Sequence, residues 1–230
     1  MKTIGLLGGM SWESTVSYYQ LINKGVNTQL GGLHSAKVVL NSVDFAQIEA
    51  LQHSGDWQGT ADILSACAKS VEDGGADCLL ICTNTMHKVA EQIEQVINIP
   101  LLHIADATAQ RLVADKITKV GLLGTAFTME QDFYKQRLTQ KYGIEVLIPD
   151  SDSRAQVHRI IYTELCKGEI NVSSRNIYLA AIEQLAQQGA QAIILGCTEI
   201  ALLIQQNHTD IPLYDTTALH AQAAVEFALK

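Results

Sequence analysis

A run of apolar residues followed at once by small polar residues occurs twice in the chain, as LICTNT at residues 80–85 and as ILGCTE at residues 194–199. The two copies are 114 residues apart. Each copy predicts a buried β-strand that ends in a turn leading into a helix. Because ligands of open α/β sheets bind at the carboxyl ends of the strands, both turns are candidate parts of a binding site.

Two further pairs of segments repeat in the same order. GLLG at residues 5–8 recurs at residues 121–124, and IPL at residues 99–101 recurs at residues 211–213, with offsets of 116 and 112 residues. Ordered matches at a nearly constant offset predict two similar α/β halves, each of ~110 residues. We expect equivalent turns of the two halves to converge on one cleft, since small ligands commonly bind between domains.

The periodicity of apolar residues supports an α/β fold with two parallel four-stranded sheets, because short strands alternate with longer amphipathic helices. We predict a first domain from residues 1–102 plus 213–230 and a second domain from residues 103–212. Strands are predicted near residues 3–7, 37–43, 77–82, 100–102, 119–123, 144–148, 191–195 and 212–214. Helices are predicted over residues 57–73, 84–97, 128–141, 153–167, 172–188 and 216–229.

Composition narrows the functional classes. The chain has 230 residues, 47% of them hydrophobic, and 16 basic against 24 acidic residues give a net charge of −8. Such a chain folds into a globule, and without a basic cluster we expect no nucleic-acid partner. No apolar run approaches the ~20 residues that span a bilayer, so we expect neither a membrane anchor nor a signal peptide.

The five cysteines are odd in number, scattered, and form no CxxC pair. This pattern favours neither a disulfide framework nor a zinc site, and a reducing cytoplasm fits it best. The histidines share no spacing typical of metal ligands, so we expect no metal site.

Cys197 is the first candidate for chemistry. It lies where the second of the two strands ends and a helix is predicted to begin, and a helix N-terminus lowers the pKa of a thiol. The residue could therefore serve as a base, or it could be an inert buried thiol, since free cysteine is among the most buried residue types. His87, one helical turn after Thr83, could orient the site or neutralise a carboxylate, or it could be a purely structural histidine.

Five segments together resemble the aspartate/glutamate racemase family, which uses no pyridoxal phosphate. They are GLLGGMSWEST at residues 5–15, CTNTMHK at 82–88, LLHIADAT at 101–108, GLLGTAFTM at 121–129 and GCTEI at 196–200. The chain is most similar to the enterobacterial branch that acts on aspartate or glutamate. The resemblance implies two pseudo-symmetric Rossmann-like domains, an active site between them and a homodimer.

In the family, one cysteine from each domain flanks the substrate Cα, and one thiolate removes the proton that the other thiol replaces on the opposite face. Cys197 matches the cysteine of the second domain, on the side that attacks the L enantiomer. Thr83 stands where the first cysteine is expected. A hydroxyl can donate a proton but is a poor base, so this departure predicts unequal half-reactions.

The same resemblance implies that a set of polar and apolar side chains surrounds the amino acid, namely Met10, Gln52, Asn84, Thr85, Thr198 and Glu199. Some relatives have an arginine near position 52, and the neutral amide of Gln52 would tolerate a wider range of substrate side chains. No cofactor is implied.

Other activities remain open at this stage. The same pair of turns could serve a hydantoin racemase, a maleate isomerase or a decarboxylase of malonates. A two-lobed amino-acid-binding protein that lost catalysis together with the first cysteine is the alternative from another class.

Overall fold

The computed structural model describes residues 1–230, which form eleven α-helices and seven β-strands in two parallel sheets. The strands are β1 Ile4–Gly8, β2 Val38–Ser42, β3 Cys78–Ile81, β4 Lys119–Gly124, β5 Glu145–Leu147, β6 Ala192–Gly196 and β7 Leu213–Asp215. The helices are α1 Trp12–Leu30, α2 Phe45–Ser54, α3 Trp57–Asp73, α4 Ala90–Glu94, α5 Ile104–Ala114, α6 Ala126–Glu130, α7 Asp132–Tyr142, α8 Ser151–Thr163, α9 Val172–Gln187, α10 Ile200–Leu203 and α11 Thr216–Leu229. None of the helices combines the length and the apolar character that a membrane span requires.

The chain divides into two compact units, one formed by residues 1–104 and 220–230 and the other by residues 105–219. The second unit ends at residue 219, whereas the predicted second domain ends at residue 212. Strand β7 pairs in parallel with β6, so it belongs to the sheet of the second unit and not to the first domain. Its backbone hydrogen bonds decide this assignment, and the apolar pattern of residues 212–214 carries no information about the pairing partner.

The sheet of the first unit has the order β2-β1-β3. The prediction of parallel α/β architecture is confirmed, but this sheet has three strands and not four. The expected strand at residues 100–102 contributes a single bridge between Leu101 and Leu79. Helix α5 begins only three residues after that bridge, at Ile104, so the extended segment is too short to form a longer ladder.

The first sheet is covered on both faces, as parallel sheets require. Ile48 of α2 and Leu64 of α3 belong to the cluster on one face. Tyr18 of α1 and Val225 of α11 belong to the cluster on the other. Residues 220–230 are therefore joined to the first unit by the burial of α11 against its sheet.

The second unit repeats the strand order of the first, with β5-β4-β6 in place of β2-β1-β3 and β7 added at the edge. The register also repeats: Gly5 lies opposite Leu79, and Gly121 lies opposite Ile193. The turns that follow β3 and β6 are consequently at equivalent positions in their own units, as the sequence repeat predicts.

Packing explains why the glycine at the start of each repeat recurs. A Cβ on Gly5 would lie 2.5 Å from a methyl carbon of Val71, on α3. A Cβ on Gly121 would lie 2.8 Å from a methyl carbon of Leu185, on α9. Both distances are shorter than van der Waals contact, so glycine allows a helix to pack directly on the central strand of each sheet.

Candidate active site

The turn of the first unit begins where β3 ends. Thr83 is half-buried there, and a short 3₁₀ segment, Thr85–Val89, follows before the single turn of α4. The helix predicted over residues 84–97 is therefore wrong in its first part. The amide of His87 donates to the carbonyl of Asn84 at 3.1 Å, which is the i to i+3 pattern of a 3₁₀ turn.

Hydrogen bonds connect this turn to the loop after β1. The amide of Cys82 donates to the carbonyl of Leu7 at 2.9 Å, and the Ser14 hydroxyl donates to the Cys82 carbonyl at 2.9 Å. Within the loop, the amide of Gly9 donates to the Thr15 hydroxyl at 2.8 Å. The amino end of α1 and the Thr83 turn consequently lie side by side at the carboxyl edge of the sheet.

The substrate-binding residues predicted for the first unit, Met10, Gln52, Asn84 and Thr85, are all buried. Met10 follows β1, and Asn84 and Thr85 follow β3, so all three come after the carboxyl ends of two parallel strands. Gln52 lies on α2, one helical turn after Ile48, which belongs to the apolar cluster on one face of the first sheet. Met10, Asn84 and Thr85 therefore follow the ends of two paired strands, and Gln52 lies on α2.

The Thr83 hydroxyl has no hydrogen-bond partner within the protein and remains available to a ligand. Neighbouring thiols do not replace it as a base. Burial raises the pKa of Cys78 to about 11 and holds the pKa of the fully buried Cys82 well above its usual range. Neither thiol forms a thiolate near neutral pH, and both side chains pack in the core of the first unit.

The turn of the second unit brings Cys197, Thr198 and Glu199 together directly after β6. The Cys197 thiol donates to Oε2 of Glu199 at 3.0 Å, and the Thr198 hydroxyl donates to the same oxygen at 2.7 Å. Thr198 and Glu199 are buried, whereas Cys197 is half-buried. One carboxylate oxygen therefore accepts two hydrogen bonds, one of them from the thiol.

The prediction that the pKa of Cys197 is lowered is wrong. Burial raises the pKa of this thiol well above its usual range, and the negative charge of Glu199 adds to the effect. The helix that follows, α10, has only four residues and begins after Glu199. Its dipole is too small to offset a nearby carboxylate. The residue is a neutral thiol with a proton acceptor in contact, an arrangement that can generate a thiolate by an internal proton transfer.

Sequence reasoning missed one neighbour of Cys197. Cys166 falls within the helix predicted over residues 153–167, but it lies in the 3₁₀ segment Leu165–Lys167, which packs against α10. It is partly exposed, and its charge interaction with Cys197 also contributes to the raised pKa of that thiol. The two cysteines are 31 residues apart in sequence, and no spacing rule relates them.

No group of three or more histidine, cysteine, aspartate or glutamate side chains has a geometry that could hold a metal ion. The polar side chains of residues 83–85 and 197–199 are instead three hydroxyls, one amide, one thiol and one carboxylate. Such groups bind the charged ends of a small polar molecule and can move protons.

Comparisons with known proteins agree with this chemistry. Residues 7–224 match the model of a family described as Asp/Glu/hydantoin racemase. A crystal structure from Yersinia pestis, of a protein provisionally assigned as an Asp/Glu racemase, is 56% identical with a TM-score of 0.93, and the alignment covers 100% of both chains. An aspartate racemase homologue from Pyrococcus horikoshii is 31% identical with a TM-score of 0.87, again over 100% of both chains. The broad specificity amino-acid racemase RacX of Bacillus subtilis is 27% identical over 69% of this chain and 67% of its own length.

Proposed function

The chain belongs to the Asp/Glu/hydantoin racemase family, and from this premise we propose that it racemises aspartate or glutamate by proton transfer at Cα, without a cofactor. Relatives described as an aspartate racemase homologue and a broad specificity amino-acid racemase support an amino-acid substrate. The observation that carries the proposal is the contact of 3.0 Å between the Cys197 thiol and Glu199.

The Cys197–Glu199 pair explains how a thiol of raised pKa can act as a base. Transfer of the thiol proton to Glu199 creates a thiolate and a neutral carboxylic acid, so the net charge of the buried turn does not change. The thiolate then removes the Cα proton of the substrate and becomes a thiol again. Glu199 thus has a more specific role in this proposal than substrate binding alone.

Thr83 completes the reaction in the proposal. Its hydroxyl, which has no partner in the protein, donates a proton to the planar carbanion on the face opposite Cys197. Because a threonine hydroxyl is a much weaker acid than a thiol, this step is the slower one. The cycle closes when the Glu199 carboxylic acid releases its proton to solvent and the Thr83 alkoxide takes one up. Met10, Gln52, Asn84, Thr85 and Thr198 are proposed to surround the amino acid. The amide and hydroxyl groups among them would bind its amino and carboxylate groups.

Proton NMR in deuterium oxide tests the function directly. Protein dialysed against a chelator, with no pyridoxal phosphate added, is expected to exchange the Cα proton of L-aspartate or L-glutamate for deuterium and to form the D enantiomer. An amino-acid-binding protein would leave the Cα–H bond intact. Release of carbon dioxide from a malonate, or activity on a hydantoin or maleate alone, would identify another branch of the family.

Replacing Glu199 separates the acidity of the thiol from its activity. In Glu199→Gln the negative charge and the acceptor are lost, so the pKa of Cys197 is expected to fall, while L-side exchange also falls by ~10²-fold because no group receives the thiol proton. Iodoacetamide labelling of Cys197 across pH, followed by peptide mass spectrometry, reports the first effect. NMR in deuterium oxide reports the second.

The exposed carboxylate of Glu183, on α9, provides a matched control. Glu183→Gln is expected to change neither the labelling profile nor the exchange rate. If exchange in Glu199→Gln rises together with the acidity of the thiol, Glu199 is not the acceptor.

We also propose that the chain forms a homodimer through the outer face of α1. Trp12, Val16 and Tyr19 follow at helical spacing and are 65%, 44% and 52% exposed, so they form an apolar stripe of a kind that commonly marks an interface. The five free cysteines agree with a reducing compartment, for which we propose the cytoplasm.

Charge on that stripe is expected to dissociate the dimer. The double variant Val16→Glu and Tyr19→Glu should elute with the mass of a monomer in light scattering, because two carboxylates would be buried in the interface. The control is Val113→Glu, at an exposed apolar position of α5. A monomeric wild type, or an unchanged mass of the double variant, would contradict this surface.

A further inference from the structure

His87 is connected to the catalytic turn through its imidazole ring. The side chain is 3% exposed, and its two ring nitrogens contact two different parts of the first unit. Nδ1 lies 2.8 Å from the carbonyl oxygen of Thr83. Nε2 accepts a hydrogen bond from the backbone amide of Ile104 at 3.2 Å.

These two partners determine the protonation state of the ring. A backbone amide can only donate, so Nε2 carries the lone pair. A carbonyl oxygen can only accept, so Nδ1 carries the proton. His87 is therefore the neutral Nδ1–H tautomer. Because both nitrogens bind backbone groups, the ring is not placed to take a proton from the Thr83 hydroxyl.

The contact with Thr83 replaces a hydrogen bond that a regular helix would supply. In an α-helix the Thr83 carbonyl would accept from the amide of His87, four residues later. Here that amide donates to Asn84 in the 3₁₀ turn. The imidazole Nδ1–H of the same residue satisfies the Thr83 carbonyl instead, and this fixes the backbone of Thr83 at the end of the strand.

A second histidine stabilises the segment that His87 contacts. Nε2 of His220 lies 2.6 Å from the Leu102 carbonyl, and the Tyr18 hydroxyl lies 2.8 Å from its Nδ1. Burial lowers the pKa of His220 to about 4, so this ring is neutral as well. Residues 102–104 are consequently held at both ends by neutral imidazoles, which gives His87 a rigid support.

We propose that His87 is a positioning residue, which holds the Thr83 carbonyl and thereby sets the Thr83 hydroxyl for proton transfer on its face of the substrate. The inference rests on the proposed function. It assigns His87 no contact with the substrate and no proton in the reaction. Loss of the Nδ1–H donor should therefore impair the Thr83 half-reaction and spare the Cys197 half-reaction.

Two isosteric variants separate the two hydrogen bonds. In His87→Asn the amide nitrogen takes the position of Nδ1 and can still donate to Thr83, whereas in His87→Gln the amide takes the position of Nε2 and only the Ile104 contact is kept. Net L-to-D racemisation is expected to fall by ~10- to 100-fold in His87→Gln, the range that misplacement of a reacting group produces. His87→Asn should racemise at least ~5-fold faster than His87→Gln. L-side Cα exchange should fall by less than ~3-fold in both variants.

The melting temperatures of the variants and the exposed control His34→Gln are measured in parallel. Parallel loss of exchange and racemisation in His87→Gln, or equal racemisation by the Asn and Gln variants, would overturn the positioning role. Absence of exchange by the wild type would instead refute the proposed function. In every case the nitrogen-15 shifts of His87 at pH 7.5 decide the tautomer, and an Nε2–H or doubly protonated ring would overturn the inference independently of activity.

Discussion

Cys197→Ser is expected to abolish Cα exchange of the L substrate while the fold remains intact. A serine hydroxyl is far less acidic than a thiol, so transfer of its proton to Glu199 is too unfavourable to supply a base. General-base catalysis contributes ~10²- to 10⁴-fold, and we expect a loss near the upper end of that range. The rate of deuterium incorporation into L-aspartate or L-glutamate, measured by NMR, checks this.

Cys67→Ser serves as the matched control. Cys67 is also partly exposed, lies on α3 and packs at the edge of the core of the first unit. This variant should keep its exchange rate, and circular dichroism should show that both variants are folded. Near-normal exchange by Cys197→Ser would exclude Cys197 as the base.

Thr83→Cys is expected to have the opposite effect, a gain of activity on the other enantiomer. In the wild type, L-side exchange should be much faster than D-side exchange, because Thr83 has no group that would activate its hydroxyl as a base. A thiol at this position can form the missing base and should raise D-side exchange by ~10²-fold or more. Net racemisation should rise with it in both directions, since the equilibrium constant between enantiomers is one and cannot change.

Thr83→Ser controls for the change of side chain, because it keeps a hydroxyl and adds no acidic group. It should give no gain on the D side. Rapid D-side exchange by the unmodified protein would show that the Thr83 hydroxyl is activated, which contradicts the engagement of both His87 nitrogens by backbone groups.

The alternation of strands and helices could be predicted from the sequence because it depends on the local periodicity of apolar residues. The repeat was readable as well: Gly5 and Gly121 occupy equivalent central strands, and each lies beneath a helix that leaves no space for a side chain. The positions of Thr83 and Cys197 after two equivalent strands follow from the same pattern. The number of strands in each sheet could not be predicted from the sequence. The IPL segment that ends at Leu101 forms a single bridge, whereas the IPL segment that ends at Leu213 leads into a full strand.

Side-chain partners were decided only by the tertiary structure. The sequence alone predicted a lowered pKa for Cys197 from a helix dipole, whereas burial and, after it, the carboxylate of Glu199 raise it. It left the role of His87 open, whereas Ile104 and Thr83 determine its tautomer. The physical reason is common to both cases. Periodicity determines which face of an element is buried, but desolvation and hydrogen bonding act over a few ångströms and depend on groups that the fold brings together from distant positions.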